Sequence, residues 1–111
     1  MNMEEMLAQA QKAAETIQKQ MNEAQARLDT LEVEGSAGGG LVKVRATARG
    51  RILGVAIDES LMKPEEKQIV EDLVTAAFND ARDRADRLSA QEMAQIQQGI
   101  GLPPGMKLPG M

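Results

Sequence analysis

The chain has 111 residues, with 13 Lys and Arg against 17 Asp and Glu, a formal charge of −4 at pH 7. It contains no His, Cys, Trp or Tyr, and Phe78 is its one aromatic side chain. Those absences remove imidazole and thiol nucleophiles, zinc sites of the structural kind, and aromatic base stacking as a main route to nucleic acid. The length argues for one domain, and no apolar run approaches the roughly 20 residues of a membrane span. The first residues are polar and charged rather than an apolar signal core, so a cytosolic protein is expected. The carboxylates are nowhere gathered into a cluster, so no metal, cofactor or small-molecule substrate is expected. A binding or structural protein is the better class than an enzyme.

The first element is a helix over residues 3–30. Met3, Leu7, Ala10, Ala14, Ile17, Met21, Ala24, Leu28 and Leu31 alternate spacings of four and three, a heptad stripe. Asn2 is a good N-cap with Glu5 three residues on. At 1.5 Å per residue the helix spans about 42 Å, far beyond the radius of gyration of about 13 Å of a compact chain this size. Its outer stripe therefore needs a helix from this chain or from a second copy.

Over residues 31–58 the period changes to two. A short strand at about Leu31–Gly35 leads to a turn at Gly38-Gly39-Gly40. The second strand sets Val42, Val44, Ala46 and Ala48 on one face, with Lys43, Arg45, Thr47 and Arg49 on the other. Arg49-Gly50 reads as a tight hairpin turn, and Arg51–Asp58 as a third strand with Leu53, Val55 and Ile57 aligned. A strand rather than a helix follows the three glycines, which argues against a phosphate loop.

A second helix is expected over residues 64–98, with Pro64 in its first turn and Gly99 as its stop. Ile69, Val70, Leu73, Val74, Ala76, Ala77, Phe78 and Ala81 form a broad apolar arc suited to lying across a sheet. Beyond Ala85 the stripe narrows, so the helix is expected to leave the sheet and project. The tail, residues 99–111, has 4 Gly and 3 Pro in 13 residues. That composition excludes a helix and leaves either a mobile segment or an extended strip docked through Leu102, Met106 and Leu108. The fold class is therefore α+β, an α-β-β-β-α chain with one domain over residues 1–98. Neither projecting helix can bury its stripe alone, and a homodimer through the sheets or the inner helix faces would cover both.

Glu32–Val44 (EVEGSAGGGLVKV), Ile57–Leu61 (IDESL), Ala76–Ala81 (AAFNDA) and the terminal GLPPGMKLP resemble the YbaB/EbfC nucleoid-associated proteins, in the same order over nearly the whole chain. The resemblance implies a tweezer-like homodimer that binds duplex DNA, alters its conformation and helps organise the bacterial nucleoid, with effects on gene expression. It also implies a location in the cytoplasm, at the nucleoid.

The acidic balance lacks the overall basic footprint of a DNA binder, so local charge decides. Three groups are candidates for phosphate contact: Lys12, Lys19 and Arg27 on the first helix; Lys43, Arg45, Arg49 and Arg51 on the meander; Arg82, Arg84 and Arg87 on the second helix. Glu15–Lys19, Glu23–Arg27, Asp80–Arg84 and Asp83–Arg87 have the spacing of helix ion pairs, which would neutralise part of each group. The meander residues also fit a solvated face or a charged edge strand. Contact would be with phosphates, hence salt-sensitive and weakly sequence-specific. The alternative is a holdase-like chaperone or scaffold with coiled-coil arms, its eight Met forming an adaptable surface. An enzyme built on Asp58-Glu59 or Glu65-Glu66 is disfavoured because capping explains both pairs.

Overall fold

Helix α1 (Met3–Thr30) begins where Asn2 Oδ1 accepts the Glu5 amide at 2.7 Å. It is followed by strands β1 (Glu32–Ala37), β2 (Val42–Thr47) and β3 (Ile52–Ile57), and then by helix α2 (Lys67–Gly99). The computed structural model describes residues 2–99. The strands form one antiparallel sheet in the order β1-β2-β3, the expected meander. β1 runs two residues further than its sequence pattern indicated. Pro64–Glu66 form a 3-10 turn of their own, so α2 starts at Lys67 rather than Pro64. The tail beyond Gly99 lies outside the described residues.

Both turns use backbone that side chains disfavour. Gly38, Gly39 and Gly40 all have positive φ, and so does Gly50 at +96° in the β2–β3 hairpin. The hairpin closes through Thr47 N to Arg51 O at 2.8 Å and Gly50 N to Thr47 O at 2.8 Å. Just beyond it the ladder slips. Arg45 pairs with Gly54 but Ala46 pairs with Ile52, so Leu53 is an extra, bulged residue. This corrects the expected alignment of Leu53, Val55 and Ile57: Ile52 turns to the core, and Leu53 is exposed.

The core lies between one sheet face and the first half of α2. Val42, Val44 and Ala46 from β2 are fully buried against Ala77 and Ala81, with Val33, Leu73 and Val74 around them. The helix touches the sheet backbone. A Cβ on Gly35 would collide with the backbone nitrogen of Ala81 and the backbone oxygen of Ala77. α2 covers β1 and β2 and leaves β3 largely uncovered, with Val55 48% exposed.

Past Ala85 the second helix leaves the sheet, as expected, and meets the C-terminal half of α1. Ala24 and Ile96 pack with Ile17, Met21 and Met93, and Glu92 Oε2 sits 2.8 Å from Arg27 Nη2. The result is a helical arm on a small α/β body, 76 Å long overall with a radius of gyration of 20.7 Å. From Asn2 through Thr16 every residue of the arm is exposed.

On the free side of β1, Asp80 Oδ2 accepts the Ser36 amide at 3.0 Å and lies 3.2 Å from Arg84 Nε. The Ser36 N–H holds the Asp80 carboxyl below its ordinary value against the opposing effect of desolvation, and Arg84 and Arg87 add smaller contributions in the same direction as Ser36.

Two outcomes follow from these contacts. Gly35→Ala should destabilise the chain by about 3 kcal/mol, the upper end of overpacking costs, read as a fall in Tm on the order of 10–20 °C; an unchanged Tm would refute the backbone contact. Asp80→Asn keeps an acceptor for Ser36 but loses the charge. A carboxylate with a lowered folded-state pKa stabilises above its unfolded pKa and ceases to do so as pH falls through the folded one. The wild type should therefore exceed Asp80→Asn in urea midpoint at pH 7, with the gap closing below about pH 4; a gap that persists at pH 2 would show the charge to be irrelevant.

Candidate nucleic-acid interface

The β2–β3 hairpin is where separate basic segments meet. Gly50 presents its carbonyl to α2, and Arg82 Nη1 lies 3.4 Å from it. A Cβ at Gly50 would lie 3.1 Å from that same nitrogen, so the glycine lets the guanidinium lie across the turn. Arg49 and Arg51 flank Gly50 in sequence, and Arg82 joins them from 31 positions beyond Arg51 in the chain. The end of α1 arrives at the same point: Ala48 N donates to Leu31 O at 2.9 Å, and Arg49 Nη1 pairs with Asp29 Oδ2 at 3.2 Å. The outcome is an exposed cluster of three arginines that carries one carboxylate partner.

Lys43 and Arg45 point from β2 to the sheet face opposite α2. β2 is the central strand, which corrects the reading of these residues as edge charges. Arg45 pairs with Glu32 across to β1 at 3.2 Å. Lys43 has no carboxylate within ion-pair distance among the described residues and separates two shallow depressions of about 180 and 230 Å³. Of the two edge strands, β3 carries no charge, whereas β1 carries Glu32 and Glu34.

The helix candidates divide. Lys12 and Lys19 form no ion pair among the described residues, and the expected pairs Glu15–Lys19 and Glu23–Arg27 are not made. Arg27 turns instead to Glu92 on α2, where it braces the arm. On α2 the expected pair Asp80–Arg84 is formed, whereas Asp83–Arg87 is not. Successive helix residues are about 100° apart, so Arg82 and Arg84 point to opposite flanks, and Arg87, three residues on, shares the flank of Arg84. The three do not make one stripe. Arg82 faces the hairpin, Arg84 faces the β1 edge, and Arg87 is exposed on the outer surface.

Of the paired carboxylates, Asp58 caps the turn that follows it. Asp58 accepts the Ser60 hydroxyl at 2.6 Å and the Ser60 amide at 3.0 Å, and these two bonds hold its pKa below the ordinary value. A general acid at neutral pH needs the opposite shift. Sequence reasoning named every basic residue of the hairpin cluster but missed its convergence. The available signal was the glycine between Arg49 and Arg51, since only a residue without a side chain lets another element lie on the turn.

Residues 1–100 match the YbaB/EbfC DNA-binding family. The chain is 47% identical over 98 residues to a nucleoid-associated protein of Methylocella silvestris, covering 88% of this chain and 92% of that one. A nucleoid-associated protein of Rickettsia felis matches at the same identity and coverage. In structure the chain is similar to an uncharacterized protein of Helicobacter pylori, with a TM-score of 0.70 at 19% identity over 86% of this chain and 97% of that one. No helix among the described residues is long and apolar enough to cross a membrane. With the family match spanning nearly the whole length and the α-β-β-β-α fold in agreement, the chain is a member of the YbaB/EbfC DNA-binding family, which is not a family of enzymes.

Proposed function

We propose that the protein is a nucleoid-associated homodimer that binds duplex DNA through phosphate contacts centred on Arg51 and Arg82. The observation that carries this reading is that Arg82 lies on Gly50, the residue between Arg49 and Arg51 in sequence. Guanidinium groups match phosphate in a forked geometry, and three of them within one small surface create a positive field that the total of −4 conceals. Arg51 and Arg82 have no carboxylate partner among the described residues, so they meet a phosphate without first breaking an ion pair. Lys12, Lys19 and Arg87 extend the contact along the arm. Arg27, Arg45 and Arg84, each held by a carboxylate, contribute less. Arg49 is intermediate, since its pair with Asp29 is solvent-exposed and such pairs are weak.

Contacts of this kind carry little base information, which suits a protein that coats and reshapes DNA rather than choosing sites. Two arms on one body would hold the duplex in a bent path, with effects on gene expression following from DNA geometry. The second copy is supported by β3. Its outer edge has no neighbour among the described residues, its six residues are uncharged, and Leu53 and Val55 are 41% and 48% exposed. An apolar strand of that kind pairs with another chain, and antiparallel pairing of β3 with its own copy is self-complementary. Relatives named for the nucleoid support a location there.

Arg51→Ala with Arg82→Ala should weaken binding to a 30-base-pair duplex at least tenfold at about 50 mM salt and reduce the salt slope by about 1.8, two phosphates' worth. Arg84→Ala should change it by less than about twofold on the same scale. Fluorescence anisotropy across about 50–200 mM salt decides: equal affinity for the double variant and the wild type would end the phosphate reading. Val55→Lys places a charge on the β3 edge and should shift the mass in sedimentation from two copies towards one. A monomeric wild type, or a variant with unchanged mass, would remove β3 as the dimer contact.

A further inference from the structure

One hydrophobic stripe on α1 has two fates. Ile17, Met21 and Ala24 are covered by Met93 and Ile96 of α2. The same stripe continues in the same heptad register through Ala14, Ala10, Leu7 and Met3, where nothing among the described residues packs against it. Leu7 is 59% and Met3 76% exposed. This half of the helix has no packed face of its own, so an occupant on the stripe would add to its stability.

We infer that the occupant is the same segment of a second copy, running antiparallel, so that the tips of two separate arms pair. The size pattern is self-complementary in that direction only. In an antiparallel seam, core positions whose residue numbers sum to 17 face each other. Met3 then meets the second copy's Ala14, and Leu7 meets its Ala10. All four layers match a large side chain with a small one, which fills space evenly and lets the helices approach closely. A parallel pair would set Leu7 on Leu7 and Ala10 on Ala10, alternating crowding with voids. The flanking positions raise no obstacle: Met6 and Ala13 line one side, Glu4 and Gln11 the other. The pairing continues, between chains, the antiparallel seam that α1 already makes with α2.

The contact is short. From Met3 to Ala14 is about 17 Å of helix, too short a seam to bury the roughly 800 Å² per side of a standard interface. It is therefore weak in dilute solution and strengthens where copies are concentrated side by side, as on a coated duplex. Each tip is a separate attachment point, so dimers joined through β3 would link end to end. This goes beyond the DNA reading and does not need DNA to be tested.

The chain has no cysteine, so disulfide trapping is free of background. Full-length Leu7→Cys and Ala10→Cys proteins are mixed without DNA and oxidised across about 10–500 µM. The seam brings these positions within the roughly 4.4–6.8 Å Cα separation that a disulfide needs. Expected is a mixed cross-link at least about fivefold above either variant alone, rising with concentration, and loss of concentration-dependent association in sedimentation for Leu7→Glu. Equal or greater cross-linking of Leu7→Cys with itself would overturn the antiparallel register. Absence of any cross-link, or trapping that is independent of concentration, would overturn pairing between separate arms.

Discussion

The backbone of α2 rests on the backbone of β1 at Gly35, with Ala77 and Ala81 as the helix side of the contact. Most helices stand about 10 Å off a sheet on large side chains; this one sits closer because all three residues are small. The contact fixes the helix in both position and direction. One turn past the contact the helix leaves the sheet on a path that meets α1, and Ala85, Glu92 and Ile96 fall on the meeting face. The residue after Ala81 is Arg82, which that path carries to the hairpin carbonyl. Arm and basic cluster both descend from one glycine opposite two alanines.

Electrostatics act on this frame locally. The ion pairs of the surface, Arg45–Glu32, Arg49–Asp29 and Arg84–Asp80, are all substantially exposed, and pairs of that kind contribute little to stability. Their larger effect is to sort the cations. Pairing assigns Arg27 and Arg84 to structure and leaves Arg51, Arg82 and Lys43 with their charge unspent. A chain with more acids than bases can present a positive surface because its acids are placed against particular bases and elsewhere on helix turns, as Glu4 and Glu5 are at the start of α1.

Much of the fold was legible because its signals are periodic. The α1 stripe, the alternation of Val42, Val44 and Ala46 with Lys43 and Arg45, and the glycines of both turns each report on backbone within a few residues. What escaped depends on contacts between distant elements. The bulge at Leu53 arises from how β3 must register on β2 once Ile52 turns inward, and alternation within β3 alone cannot reveal it. Gly35 reads as one more glycine until Ala77 and Ala81 are laid against it. Helix spacing foretold Glu23–Arg27, but Glu92 on α2 competes for Arg27 and wins, being only 14% exposed and 2.8 Å away. The candidate site followed the same rule: its residue types were visible, and their grouping was not.

The core also bears on the association proposed above. Val42 and Val44 are the largest fully buried side chains, and much of the remaining buried surface is alanine. Burial contributes about 25 cal/mol per Å², and alanine has little area to bury. A helix-on-sheet contact this close thus gains its geometry at the expense of hydrophobic area. The missing area is on the molecule, uncovered, at Val55 and Leu53 on the sheet edge and at Met3 and Leu7 on the arm. Whatever covers those surfaces stabilises the folded chain by mass action. Under the pairing proposed above, assembly and stability would be one equilibrium, and a surface that gathers many copies would shift it without touching the core.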